Sequence, residues 1–192
     1  MRNSSLKTIR AAVMLAAGIG LFGLVTAAQA ATQGTAGTTS TGTVVINASI
    51  QARVRISNLT DLTFADSDFA PVIGTGNSVQ KTENVCAWSN NADRSYFITA
   101  SGSGAANAFT LASSTNPVIP YGVSWAQSAG QTTGTALTAA TKSSKLISTA
   151  ATSSCSGGSS ATLIVAITGA DAETMLAGAA YTGTLTLLMT PT

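Results

Sequence analysis

Residues 44–56 have the sequence VVINASIQARVRI, and this stretch decides the fold. Every second residue in it is apolar, namely Val44, Ile46, Ala48, Ile50, Ala52, Val54 and Ile56. An apolar side chain at every second position is typical of a β-strand with one buried face. The run is about twice as long as the usual strand of about 5–6 residues. We therefore predict a long strand that pairs within its own subunit, with a neighbouring subunit, or with both in turn.

The first 30 residues have the features of a signal peptide. Arg2, Lys7 and Arg10 give a basic start, residues 11–26 are apolar, and Ala28-Gln29-Ala30 has the form that a signal peptidase recognises. The apolar part is shorter than the about 20 residues that a membrane-spanning helix needs. We predict cleavage between Ala30 and Ala31, export of the protein, and no membrane span in the remaining chain.

Charge and composition restrict the function. Three of the nine Lys and Arg residues lie within residues 1–30, so residues 31–192 keep six against seven Asp and Glu, a net charge of −1. Such a balance does not favour nucleic acid as a partner. The chain is only 8% charged and is rich in Thr, Ser, Gly and Ala. This composition suits a surface that packs against copies of itself, and it also suits an ordinary exported β-protein.

The two cysteines and the absence of histidine restrict the chemistry. Cys86 and Cys155 are an even pair in an exported chain, which predicts one disulfide closing a loop of about 70 residues. The sequence contains no His, so neither a Ser–His or Cys–His couple nor a histidine metal ligand can form. We expect no catalytic site, no cofactor and no metal site.

The acidic residues offer two weak alternatives. Asp61, Asp66 and Asp68 lie close enough in sequence to suggest Ca²⁺ binding, but their spacing matches no defined calcium loop, and solvated turns are the simpler interpretation. Asp171 and Glu173 could act as a carboxylate pair for glycoside chemistry. Stabilisation of a helix N-terminus explains that pair better.

The rest of the chain predicts many short strands separated by turns. The expected strands cover residues 84–88, 95–100, 109–111, 121–125, 162–168 and 181–189, a short strand is expected near Phe64 and Phe69, and one helical turn is expected over 171–176. Trp88 and Trp125 are expected in the core, with carbohydrate stacking as the alternative, and residues 128–144 are expected to form a polar exposed loop. No long helical periodicity interrupts these strands. The pattern predicts an all-β sandwich.

Three segments resemble bacterial class 5 (alternate chaperone–usher) fimbrial major subunits. Residues 44–50 (VVINASI) are similar to the alternating N-terminal run of these proteins. Residues 119–125 (IPYGVSW) resemble their Pro-Ile-Ser-Val-Ser-Trp segment, and residues 180–190 (AYTGTLTLLMT) resemble their closing strand. Gln51-Ala52 stands where these subunits carry a proline, and the cysteine pair is closer to the spore coat U-like secreted proteins.

The resemblance implies an immunoglobulin-like, pilin-type sandwich that lacks its last strand and is completed by a donor strand from a neighbour. It implies Val44, Ile46, Ala48 and Ile50 as donor-strand residues. It implies one acceptor edge formed by Tyr181, Leu185, Leu187 and Met189. The implied partners are further copies of the chain, a periplasmic chaperone and an outer-membrane usher, with a host or surface glycan as a further candidate.

These inferences divide the chain into a signal peptide (1–30), a flexible tail with the donor strand (31–50), and a pilin-like sandwich (51–192). The leading hypothesis is a structural subunit of a surface fimbria that supports adhesion or biofilm formation. It is exported through the periplasm to the cell surface or secreted. The alternative is a self-contained exported binding module that recognises a glycan or a partner through loops such as 128–144.

Overall fold

The computed structural model describes residues 31–114 and 117–192. The expected signal peptide, residues 1–30 with its cleavage site after Ala30, lies outside the described residues. Contacts divide the chain into two units, residues 1–49 and 50–192, and the sandwich belongs to the second. Within the first, Thr32 and Thr43 exchange two backbone hydrogen bonds of 3.0 Å.

The described residues of the second unit form ten strands, two single-turn α-helices and two short 3₁₀ segments, Ala105–Asn107 and Cys155–Gly157. In chain order the elements are β1 (Val54–Ser57), α1 (Asp66–Phe69), β2 (Ser78–Ser89), β3 (Ser95–Gly102), β4 (Thr110–Leu111), β5 (Ile119–Pro120), β6 (Gly122–Ala126), β7 (Thr135–Ala136), β8 (Leu146–Ile147), β9 (Ala161–Thr168), α2 (Gly169–Ala172) and β10 (Leu185–Pro191). One sheet has the order β1-β2-β9-β6-β7, the other has the order β10-β3-β8, and β4 and β5 form a separate pair. Every pairing is antiparallel. The predicted all-β sandwich is confirmed.

The core lies between the two sheets. β9 is nearly continuous in apolar residues (ATLIVAIT) because it lies between β2 and β6 and is covered on both faces. Trp125 of the larger sheet donates its indole N–H to the hydroxyl of Tyr96 of the smaller sheet at 3.0 Å. Burial raises the pKa of Tyr96. This bond satisfies the polar ends of both rings inside the core, so the two sheets are joined without an unpaired group.

The predicted disulfide is confirmed. Cys86 of β2 is bonded to Cys155, with Cα atoms 5.8 Å apart and a separation of 69 positions in sequence. Cys86 is fully buried, because the single-turn 3₁₀ segment Cys155–Gly157 packs over β2. The bond fixes the loop before β9 to the strand that pairs with β1.

Several local expectations were wrong. The strand predicted over 44–56 is a strand only from Val54, and α1 replaces the short strand expected near Phe69. The helical turn of α2 begins at Gly169 rather than Asp171, because Thr168 caps it and accepts the Asp171 backbone N–H at 3.0 Å.

Two further expectations differ from the structure on the surface of the sandwich. Trp88 is half-buried and lies outside the main core cluster, whereas Trp125 is in it. The segment 128–144 is not simply an exposed loop. It contains β7, buries Leu137 against the core, and reaches the second sheet where the Ala140 N–H donates to the Ala100 carbonyl at 2.7 Å.

Candidate functional site

An open apolar groove of about 790 Å³ runs along one side of the sandwich. Its two walls are residues 59–64, which follow β1, and residues 179–187, which lead into β10. The floor comes from the core itself, mainly Leu163, Val165 and Ile167 of β9. Strands β1 and β10 approach each other at one end. The groove therefore opens where the chain leaves β1.

The first wall begins at a sharp change of direction. Asn58 adopts a left-handed backbone conformation (φ 64°), which asparagine tolerates better than most residues. Its side-chain amide donates to the Gly158 carbonyl at 2.9 Å, next to the disulfide loop. Beyond it, Leu62 and Phe64 are half-buried while Asp61 and Thr63 are exposed, the alternation of a strand.

The first wall nevertheless lacks a strand partner. Within the described chain, residues 59–64 make no backbone-to-backbone hydrogen bond. Their side chains hold them in place instead. Phe64 stacks on Phe69 with ring centres 6.0 Å apart, and the Thr60 hydroxyl donates to Glu83 at 2.8 Å. Unpaired backbone along such a segment is a template for another strand.

The second wall is paired on one side only. Thr182 exchanges backbone hydrogen bonds with Ala112, the Thr184 N–H donates to the Ser103 hydroxyl at 3.0 Å, and β10 pairs with β3 throughout its length. Among the described strands β10 has no second hydrogen-bonded partner, and its residues Leu185 and Leu187 line the groove. Both walls therefore present free backbone groups to the same space.

Close packing fixes where the second wall begins. A Cβ placed on Gly183 would lie 2.7 Å from the Thr110 carbonyl oxygen and 3.1 Å from a Leu111 methyl group. Only glycine allows this approach, which explains the glycine of the Tyr-x-Gly sequence at residues 181–183. Tyr181 is held in turn, because its hydroxyl accepts the Leu176 N–H at 3.0 Å.

The side chains that line the groove are mainly apolar, and few of them are charged. Asp61 is its one charged residue among the described lining side chains. Tyr121 lies in the floor and stacks on Phe109 at 5.7 Å, and burial raises the pKa of its phenol. Such a surface gains stability when an apolar side chain covers it.

The structure brings most of the predicted acceptor residues together. Tyr181, Leu185 and Leu187 line the groove. Met189 lies on the same strand but is buried in the core beyond the groove lining. Sequence reasoning missed the opposite wall. The alternation of Leu62 and Phe64 with polar neighbours is the available indication, but by itself it predicts only a turn and a short strand.

The predicted donor residues lie outside every strand. Val44, Ile46 and Ile50 are 70%, 86% and 74% exposed, and Ala48 is also exposed. Asn90 marks the point at which the chain enters the sandwich. Its N–H donates to the Arg53 carbonyl at 3.0 Å, and its side-chain amide accepts the Arg53 N–H at 2.5 Å and donates to the Gln51 carbonyl at 2.9 Å.

Three of the acidic residues weighed as sites, Asp68, Asp171 and Glu173, have structural contacts. Lys81 binds Asp68 at 2.8 Å and holds the pKa of that carboxyl below its usual range, helped by the Ala65 N–H. Asp171 accepts the Thr168 hydroxyl at the start of α2, and Glu173 accepts the Gly74 N–H at 2.7 Å. Over residues 31–114 and 117–192, no three His, Cys, Asp or Glu side chains group as a metal site requires.

Comparison with known proteins gives few relatives. No protein-family model matches the chain. No curated protein matches it. A chain from a solved structure described as "Chaperone-tip adhesin complex is vital for synergistic activation of CFA/I fimbriae biogenesis" is similar at 15% identity, with a TM-score of 0.49 over 72% of this chain and 41% of that one. The present chain thus spans about two fifths of the length of that neighbour. The described residues include no helix long and apolar enough to cross a membrane.

Proposed function

We propose that the protein is a structural subunit of a bacterial surface fimbria, or of a related chaperone–usher polymer, assembled by donor-strand complementation. One observation carries this proposal. A groove with two unpaired backbone edges lies in the same chain as an exposed, alternately apolar segment that has no partner of its own. A second copy of the chain is then the natural source of the missing strand, because adding a strand to an open sheet pairs both sets of groups at once.

The dimensions of the two parts agree. Residues 59–64 span about 20 Å and residues 44–50 about 23 Å, at about 3.3 Å per residue in a strand. Burying Val44, Ile46 and Ile50 would contribute roughly 1.5–3 kcal/mol each. Ala48 is the small member of the series and suits a shallow position. The backbone hydrogen bonds to both walls fix the register, and the apolar side chains supply most of the stabilisation.

The division of the long alternating run follows from its anchor. Asn90 holds Gln51 and Arg53, so residues from Val54 belong to their own subunit and residues up to Ile50 are available to a neighbour. The Gln51-Ala52 junction, where class 5 subunits carry proline, is fixed here by these hydrogen bonds.

The biological setting belongs to the same proposal. The subunit is exported to the periplasm, where a chaperone covers the groove until an outer-membrane usher exchanges it for a neighbour's tail. The assembled fibre stands on the cell surface and supports adhesion or biofilm formation. The chain acts through assembly and has no catalytic activity. Finding genes for a chaperone and an usher beside this one would support this setting.

A pair of substitutions in the tail tests the function without disturbing the sandwich. Ile46→Asp places a charge on the face that would enter the groove, whereas Val45→Asp places the same charge on the opposite face. Wild type and the Val45 variant should form ladders that resist SDS until boiled, and the Ile46 variant should not. Equal ladders from both variants would contradict donor-strand assembly.

Deletions extend this test to the whole tail. Removing residues 31–50 should leave a folded monomer, whereas removing residues 31–42 should leave polymerisation intact. Both the chain without residues 31–50 and the Ile46→Asp variant keep the groove but lack a working donor strand. A mixture of the two should therefore also stay monomeric. Fibres from the chain that lacks residues 31–50 would rule out the tail as the donor.

The self-contained binding module has one observation in its favour. A depression of about 270 Å³ with a mixed polar and apolar lining lies on the larger sheet, beside Gln80, Ser124 and residues 132–134. Hydroxyl and amide groups in such a place suit a glycan. A stable monomer on gel filtration without a chaperone, with glycan binding lost on Gln80→Ala, would favour this function instead.

A further inference from the structure

The charged side chains of the sandwich are separated between its two ends. β2 runs from Ser78 to Ser89, and its antiparallel partner β9 ends at Thr168 opposite Ser78. The Ser78 end therefore carries α1, α2 and the turn between α1 and β2. The Ser89 end carries the β2–β3 turn and Arg53, where the tail begins.

We name these regions by their charges. The acidic end contains four carboxylates and one ammonium group, a net charge of −3: Asp66, Asp68, Asp171, Glu173 and Lys81. The basic end contains four cations and one carboxylate, a net charge of +3: Arg53, Arg55, Arg94, Lys145 and Asp93. Asp61, Glu83 and Lys142 lie between the ends. Since residues 31–192 carry a net charge of only −1, no large overall repulsion opposes an approach of unlike ends.

The groove is oriented along the same axis. β10 runs from Leu185, opposite Gly102, to Pro191, opposite Tyr96, which is from the acidic end toward the basic end. The groove lining includes Phe69 of α1 and Met175 just after α2, so the groove extends to the acidic end. A strand that enters it antiparallel to β10 leaves it at the acidic end.

We propose that the acidic end of one copy and the basic end of the next form a complementary contact surface that guides assembly. This inference rests on the proposed function. With an antiparallel donor strand, the tail leaves the acceptor at its acidic end and enters its own subunit at Arg53, in the basic end. Opposite charges then meet at the joint. A parallel donor strand would bring two basic ends together, so charge also selects the direction of the inserted strand.

The expected effect is on the rate of assembly. Opposed patches of charge raise the rate of encounter between protein surfaces, by about tenfold to a thousandfold in favourable cases, and the gain falls as salt increases. The Debye length is about 30 Å at 0.01 M and about 8 Å at 0.15 M ionic strength, so low salt is needed to observe the steering.

Three variants of the full chain test the proposal. Arg55→Glu lowers the net charge of the basic end from +3 to +1, Asp66→Lys changes that of the acidic end from −3 to −1, and the double variant does both. Arg55 and Asp66 are both exposed. Lys142→Glu is the matched control, because it makes the same charge change between the two ends. Circular dichroism checks that each variant folds.

Each chain is diluted from denaturant into about 20, 150 and 500 mM NaCl, and SDS-resistant polymer is measured against time. At low salt we expect each single end variant to assemble at least roughly threefold more slowly than wild type. The double variant should be the slowest of all, because both ends have lost charge. Lys142→Glu should stay close to wild type, and the differences should vanish at high salt.

Two other outcomes have separate meanings. Polymers that form at the same rate in all variants, or equal slowing by Arg55→Glu and Lys142→Glu, would overturn the contact surface and leave donor-strand assembly standing. Failure of wild type to form SDS-resistant polymer at any salt concentration would contradict the proposed function, and the contact surface with it.

Discussion

Residues 44–50 and β1 share one alternating sequence pattern but differ in what covers them. Ile46 is 86% exposed, whereas Val54 and Ile56 are half-buried against the core. The difference arises in the partner strand. β2 ends at Ser89 opposite Val54, and the chain turns away at Asn90. Among the described residues, 44–50 therefore have no strand pairing. Alternating apolar residues thus indicate that a segment can form a half-buried strand. The length of the neighbouring strand, here β2, decides whether its own subunit supplies the strand partner.

The largest effect should come from removing the disulfide that fixes β2, the partner of β1, to the loop before β9. In chain-entropy models, cross-linking a loop of about 70 residues stabilises the folded state by about 4 kcal/mol. The double variant Cys86→Ala/Cys155→Ala should lose a comparable free energy of unfolding in urea. Hydrogen exchange of residues 44–50 should not change, because they are already exposed. A loss of less than about 1 kcal/mol would contradict the assigned role of the bond.

A matched pair of isoleucines compares the two regions directly. Ile56→Ala should lower the free energy of unfolding by about 1–2 kcal/mol, less than at a fully buried site, because Ile56 is only half-buried. Ile46→Ala should change it by less than about 0.5 kcal/mol in the monomer. Urea denaturation of the chain at a concentration too low to polymerise measures both values. Equal losses would mean that the tail is part of the folded core.

Asn90→Ala should move the boundary between the regions. This change removes an acceptor for the Arg53 N–H and a donor to the Gln51 carbonyl, and each such hydrogen bond contributes about 0.5–1.5 kcal/mol. We expect faster hydrogen exchange at Arg53 and a small loss of stability. Asn47→Ala is the control in the tail and should change neither quantity.

The smallest effect concerns acid. Hydrogen bonds from Lys145 and from Ser95 hold the pKa of Asp93 well below its ordinary value of 3.8. Because the folded-state pKa is lowered, Asp93 stabilises the fold above pH 3.8, and this contribution is lost as the pH falls through the folded-state pKa.

The stability of the sandwich should depend on pH through Asp93, whereas the exposure of residues 44–50 should not depend on pH. Urea midpoints of wild type and Asp93→Asn should differ at pH 7 and converge toward pH 2. The effect should be small, since the Asp93 side chain is about half exposed. Residues 44–50 contain no ionisable side chain, so their exposure should not change over the same range. A difference between the two chains that persists undiminished at low pH would contradict the role of Asp93.

The sequence predicted the parts of the fold that depend on local pattern. The strands over 84–88, 95–100, 121–125 and 162–168 and the closing strand are present, because their apolar side chains recur at the period of a sheet or fill a strand covered on both faces. The Cys86–Cys155 bond followed from the number of cysteines and the expected export.

The parts that failed depend on tertiary contacts. Nothing local in 128–144 shows that Leu137 is buried or that β7 extends the larger sheet. The wall at 59–64 was missed for the same reason, because its position depends on the Asn58 turn and on the contact with Gly158, 100 residues away in sequence. The residue at which β1 begins, Val54, depends on where β2 ends, at Ser89. The alternation of residues 44–56 does not predict that position.

The tail begins at the basic end of the sandwich, whereas the groove extends to the acidic end. This arrangement has a consequence for the form of any assembly. When the tail of one copy fills the groove of the next, the two contacting surfaces differ, so the contact is heterologous. Repeating it produces a line of subunits, unless the rotation between successive subunits closes a ring. Such a line has polarity: one terminal subunit keeps an empty groove and the other keeps a free tail. Its length is then limited by the supply of subunits or by a different protein that occupies one terminus, because the repeating contact contains no stop.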